Sequence, residues 1–102
     1  MMTSVDTDLI RVLADPLRLQ IVTLLACETL CTTHLVEETG AKQTNLSNHL
    51  KVLREAGLVD TEPCGRYVYY KLRSDVIAQL AGQFADLAAS ARTAAENKRA
   101  CP

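Results

Sequence analysis

Four cysteines and two histidines carry the reactive chemistry of this 102-residue chain. Cys31 and His34 stand three apart in Cys31-Thr32-Thr33-His34, where a helix is expected to begin, so both can project to one side. A helix start also favours a thiolate, the form that binds metals. Cys27 lies four residues earlier. Two thiolates, His34 and a carboxylate such as Asp6 or Asp8 from a neighbouring N-terminus would suit cadmium, zinc or nickel. Arsenite asks for three thiolates, so Cys64 or Cys101 would have to join Cys27 and Cys31, from the same subunit or another. The spacings miss the double C-x-x-C of a structural zinc site. Two other readings stand beside metal binding. Cys27 follows a run of core leucines and can be a packing residue. Cys27 can also pair oxidatively with Cys31, or across a dimer, as a thiol switch. Catalysis by Cys31 and His34 lacks a third group to orient the imidazole and a Gly-rich loop, so the chain is not expected to be an enzyme.

The elements around these residues read as mainly helical. Residues 5–13 place Val5, Leu9, Val12 and Leu13 on one face, with Ile10 beside it. Asp15 suits an N-cap and Pro16 the first helical position of a second helix to about Ala26, apolar over most of its circumference. Residues 27–32 read as a short connection. A third helix from about Thr33, with Thr32 or Thr33 as cap, ends at Gly40. A fourth, about 44–56, follows at once and stops at Gly57, a helix-turn-helix arrangement. Its buried stripe is Leu46, Leu50 and Leu53, with Leu58 beyond the end. Its other face shows Gln43, Thr44, Asn45, Ser47, Asn48, Lys51 and Arg54. Amides, hydroxyls and cations of this kind read base edges and phosphates, and a merely solvated face usually mixes both charge signs.

A two-stranded hairpin follows over about 59–72, with Pro63-Cys64-Gly65-Arg66 as its turn. A lone hairpin is unstable, so it must pack beside the presented helix as a wing, with Arg66 near the tip and in reach of phosphate or the minor groove. A last helix over about 75–92, with Ser74 as cap, carries one stripe of Val76, Leu80, Phe84, Leu87 and Ala91, and a second of Ile77, Ala81, Ala85 and Ala88. Two adjacent apolar faces exceed what one small domain covers, so a second copy is the expected partner, with the first helix adding to the interface. Residues 93–102 lose periodicity and are expected to fray. The expected architecture is a single winged helix-turn-helix domain over 1–102, with five helices and a two-stranded wing, dimerising through its first and last helices.

Composition fits that reading. Hydrophobic residues are 48% and charged residues 23% of the chain, ordinary for a globular domain. No apolar run reaches the ~18 residues of a membrane span, and MMTSVDTD has no basic leader, so a cytoplasmic protein with reduced thiols is expected. The net charge of −1 hides a segregation. Residues 1–41 carry −4, residues 42–73 carry six basic against three acidic side chains, and residues 74–102 are neutral. The positive excess sits on the presented helix and wing, as a local footprint for double-stranded DNA requires.

The segments LADPLRLQIVTLL, NLSNHLKVLREAGLV and GRYVYYKL together resemble the ArsR/SmtB metal- and metalloid-responsive repressors of bacteria. The resemblance covers nearly the whole chain. It implies a homodimeric winged-helix repressor on palindromic operators, released by an inducer. By position, Ser47 and His49 fall in the family's S-x-H-L signature. Gln43, Thr44, Asn45, Asn48 and Lys51 fall on the DNA-reading face, and Arg66 at the wing tip. Lys42 stands where relatives carry a capping Ser or Thr, so Thr44 is a possible alternative cap. The family's site on the last helix needs histidine, and this chain has only His34 and His49, so that site looks absent. Its cadmium and lead site in the recognition helix needs cysteines that residues 43–56 lack. What remains is the site at the start of the third helix. Arsenic sensors carry C-x-C followed by Asp there, and a zinc sensor C-x-x-D; here Cys31 is kept, while Thr33 and His34 replace the others.

Overall fold

The computed structural model describes residues 5–102; the first four residues of the stretch read for a leader lie outside them. The chain runs α1 (Thr7–Leu13), α2 (Pro16–Leu25), β1 (Leu30–Cys31), α3 (Thr32–Thr39), α4 (Gln43–Glu55), β2 (Val59–Cys64), β3 (Tyr67–Leu72) and α5 (Ser74–Ala94). Five helices and a small antiparallel sheet form a winged helix-turn-helix.

Local chemistry explains most boundaries. The Asp6 carboxylate accepts from the Leu9 amide and caps α1. Asp15 accepts from the amides of Leu17 and Arg18 and caps α2, with Pro16 at the first position. Gly40 closes α3 with φ +70°. After α4, Gly57 takes φ +76°, its amide donates to the Arg54 carbonyl, and the Leu58 amide donates to that of Leu53. That pair is a Schellman stop, and both leucines of its apolar contact are fully buried.

The core gathers Ile21, Val22 and Leu25 of α2, Leu35 of α3, Leu46, Leu50 and Leu53 of α4, and Leu30, Leu58 and Val59 of the strands and their approaches. The stripe expected on the fourth helix is therefore the one buried, and each such leucine contributes about 1.5–3 kcal/mol. α2 packs against both α3 and α4 in this core and backs the helix-turn-helix. No helix among the described residues is long and apolar enough to cross a membrane.

Several details correct the sequence reading. The wing gains a third strand, in the order β1-β3-β2, with Leu30 opposite Tyr70 and Cys31 opposite Tyr69. Part of the segment read as a connection is thus an edge strand. The turn narrows to Gly65-Arg66, because Pro63 and Cys64 continue β2 opposite Val68 and Tyr67. Proline is tolerated there since β2 is the other edge, and Gly65, at φ +61°, takes the first position of a two-residue II′-like turn. Cys31, not Thr32 or Thr33, occupies the N-cap of α3; Lys42, not Thr44, that of α4; and Arg73, not Ser74, that of α5.

The distal half of α5 leaves the body. Leu80 is its only buried residue, while Phe84 and Leu87 are 46% and 47% exposed. The molecule is 63 Å long and about a third as wide, with a radius of gyration of 17.8 Å, against about 13 Å for a compact chain of this size.

Candidate nucleic-acid interface and thiol clefts

The Leu46–Leu50–Leu53 stripe faces inward, so α4 turns its opposite side outward. Gln43, Thr44, Asn45, Ser47, Asn48, Lys51 and Arg54 are all exposed. No acidic residue occupies the first turn, and Lys42 makes no side-chain cap. The first amides of α4 therefore keep their partial positive charge for an anion.

His49 differs from its neighbours. It is half-buried, and its Nδ1 lies 3.0 Å from Nη1 of Arg18 on α2. The residue at the centre of the signature is turned, through that nitrogen, toward the helix behind it. Arg18 is a residue that sequence reasoning missed; no local pattern marks a partner 31 residues away.

The positive segment separates into paired and unpaired charges. Lys71 is held by Glu62 at 2.8 Å, and Arg73 lies between Asp75 at 2.9 Å and Asp60 at 3.9 Å. The Glu62 hydrogen bond raises the Lys71 pKa, and the Asp75 bond raises that of Arg73. Lys51 has only a loose contact with Glu55, at 4.0 Å. Among the described residues, Lys42, Arg54 and Arg66 make no ion pair. The cations left for a polyanion thus lie at both ends of α4 and at the wing tip, where Arg66 is exposed.

The exposure of Cys27 goes against the reading of that residue as part of the core packing. Cys31 is 3% exposed, while Cys27, Cys64 and Cys101 are exposed, and none is in a disulfide. Cys27, Cys31 and Cys64 line three adjoining clefts. The first includes Cys27, His34, Glu37 and Glu38. The second includes Cys31, His34, Glu37, Tyr67 and Tyr69. The third includes Cys64, Glu62 and Tyr69. His34 and Glu37 border the first two, and Tyr69 the last two. Cys101 borders none of them.

His34 is already engaged. The Cys31 amide donates to its Nδ1 at 3.2 Å, and the ring meets Tyr69 edge-on at 5.8 Å between centroids. A neutral imidazole has one acceptor nitrogen. With Nδ1 accepting, Nε2 holds the proton, so His34 can ligate a metal only by giving up this bond. Among the described residues, no three His, Cys, Asp or Glu side chains come close enough to hold a metal ion. The donors are near one another, but one chain does not assemble them into a coordination shell. Glu37 and Tyr69 were not singled out from sequence; Tyr69 reaches the cleft only because β1 pairs with β3.

Comparison with known proteins fits this geometry. The family described as "Bacterial regulatory protein, arsR family" matches residues 15–61, from the cap of α2 into β2. The chain is 38% identical over 73 residues to the HTH-type transcriptional repressor SmtB of Mycobacterium tuberculosis, covering 72% of this chain and 54% of that one. It is 38% identical over 69 residues to the arsenical resistance operon repressor of Staphylococcus xylosus, covering 68% and 66%. The chain therefore spans about half the length of SmtB. A crystal structure of a possible transcriptional regulator for arsenical resistance superposes with a TM-score of 0.71 at 33% identity, over 90% of this chain and 98% of that one. Fold and sequence agree, and the chain belongs to the arsR family of bacterial transcriptional regulators.

Proposed function

We propose that this chain is a dimeric, sequence-specific DNA-binding repressor, released from operator DNA by a thiophilic metal or metalloid. The observation that carries the DNA reading is the outward face of α4, polar and free of acid over three turns, together with the exposed Arg66 in the turn of the wing. Asn45, Asn48 and Gln43 supply bidentate amides for adenine, and Ser47 and Thr44 supply hydroxyls. Lys51 and Arg66 supply phosphate contacts. Family membership supports repression as the output.

The input is assigned to the clefts around Cys31. Cys27, Cys31 and Cys64 offer the three thiolates that arsenite takes. Glu37 and Glu38 add carboxylates that would serve cadmium, zinc or nickel with Cys27 and Cys31. Since one chain does not gather a shell, the ligands must move or a second subunit must contribute. A second reading, release by thiol oxidation, draws support from the exposure of Cys27, Cys64 and Cys101.

Gel shifts on the protein's own promoter test both. Affinity should fall steeply with salt, and Lys51→Ala or Arg66→Ala should each reduce the salt slope by about one phosphate contact. If neither variant changes affinity, the DNA face is misplaced. Arsenite, antimonite, cadmium, zinc, nickel and copper should be tried in turn, with each cysteine changed to serine. An unchanged response in Cys31→Ser removes the favoured site. Release by diamide or peroxide, with no response to any metal, selects the redox reading.

A further inference from the structure

Arg18 bonds to two helices besides its own. From the first turn of α2, its Nε donates to the Val12 carbonyl at 2.6 Å, and Nη1 meets His49 Nδ1 at 3.0 Å. Val12 lies in the last turn of α1, where carbonyls lack helical partners. A guanidinium there satisfies one of them and complements the negative end of the helix dipole. The other end of α1 is also tied: the Asp6 amide donates to Oε1 of Gln83 on α5 at 2.9 Å. Hydrogen bonds therefore run from α5 through α1 and Arg18 to the middle of α4. Arginine only donates, so Nδ1 of His49 must accept and Nε2 must carry the ring proton.

We propose that Arg18 and His49 are positioning residues, which fix the recognition helix against α1 and, through Gln83, against α5. The inference rests on the DNA-binding reading and deepens it. Two recognition helices can meet one operator only if each is held at a set angle to the elements joining the two copies. Leucine packing holds α4 in the core without directionality. The directional bond from Arg18 to half-buried His49 adds a restraint on its rotation and sliding.

The two nitrogens of His49 permit a direct test. Asparagine places its amide oxygen near the position of Nδ1, whereas glutamine reaches toward that of Nε2. Affinity for a duplex of the protein's own promoter should fall about tenfold in His49→Ala, or ~1.4 kcal/mol, as expected for a lost hydrogen bond to a charged partner. His49→Asn should return to within about threefold of wild type, and His49→Gln should not. Arg18→Gln should match His49→Ala, and the double variant should be no worse than either alone, because both remove one link. The salt slope should stay at the wild-type value throughout, since no phosphate contact is lost. The inference is overturned if His49→Asn is as weak as His49→Gln, if the Arg18 and His49 losses add, or if the slope falls by about one contact. Should His49→Ala fail to fold, the Asn and Gln variants decide. Failure of the wild-type protein to bind the duplex at any salt would overturn the DNA-binding reading itself, a result that does not depend on either residue.

Discussion

The backbone amide of Cys31 donates to Nδ1 of His34, so the start of α3 is capped by the ring that the sequence suggests as a metal ligand. Capping and ligation compete for one lone pair. His34→Ala should lower stability by about 1 kcal/mol, the usual cost of a lost cap. If the inducer is held by thiolates alone, the variant should still release DNA with arsenite at a concentration within about threefold of wild type. A divalent ion that recruits His34 should lose about a hundredfold in affinity instead, near the ~3 kcal/mol of a lost ligand bond converted to a ratio. Titration of both inducers against His34→Ala by fluorescence anisotropy decides between them. Equal loss for arsenite and cadmium would show that the cap, rather than the ligand, governs the response.

Gly57 sets where α4 ends. Its φ of +76° lies in the left-handed region, and a Cβ built there meets nothing within 4 Å. The cost of Gly57→Ala is therefore conformational, about 1–2 kcal/mol, and should appear as a Tm lower by several degrees. Because the Leu58 amide and the buried Leu53–Leu58 contact depend on this turn, the wing should loosen as well. Hydrogen exchange at β2 should rise in the variant, and an unchanged Tm would sink the assignment.

Much of this was legible in the sequence, for identifiable reasons. Leucines at 46, 50 and 53 can share only one helical face, so the outward face of α4 followed. Gly40 and Gly57 fixed two helix ends because few other residues accept positive φ. The third strand was not legible: Leu30 and Cys31 are too short a pair to show periodicity, and they become a strand only when β3 arrives. The caps of α3, α4 and α5 were misassigned for a related reason. Lys42 and Arg73 hold N-cap positions without a side-chain capping bond, and at Cys31 the cap is completed by the ring of His34 rather than by a residue type that propensity marks. The Arg18–His49 link and the meeting of Tyr69 with His34 are tertiary, and no local pattern encodes them.

Asp15 gives the fold an acid sensitivity with a definite sign. The hydrogen bond from the Arg18 amide, helped by the Arg18 charge and the Leu17 amide, holds its carboxyl below the usual value of 3.8, against an opposing effect of burial. The folded form thus binds fewer protons than the unfolded one. Its stabilisation is present above the unfolded pKa and is lost as pH falls from about 4 through the lower folded value. Asn is as good an N-cap as Asp, so Asp15→Asn keeps the cap and removes the titration. Urea midpoints between pH 2 and 7 should fall less steeply in this variant below pH 4. Asp75, lowered first by its hydrogen bond to Arg73, should account for part of the slope that remains. Superimposable curves for wild type and Asp15→Asn would dismiss the effect.

The projecting half of α5 yields the last prediction. Its 21 residues span about 30 Å, yet beyond Leu80 no side chain is buried. Phe84 and Leu87 lie one turn apart on the outward stripe, with Ala81, Ala85 and Ala88 beside them small enough for close approach. A second copy laid against this surface would remove both large side chains from water, for roughly 1.5–3 kcal/mol each if burial is complete. Sedimentation equilibrium of the wild-type protein should therefore report a dimer at micromolar concentration. Phe84→Asp should raise the dimer dissociation constant at least a hundredfold, since it forfeits that burial and places a charge in the interface. The monomer should keep its helical circular dichroism, because neither side chain contributes to the core around Leu46 and Leu50. Operator affinity should fall with the dimer, as a single winged helix engages one half-site. A wild-type protein that stays monomeric at tens of micromolar, or a Phe84→Asp dimer of unchanged strength, would assign this face to some other partner.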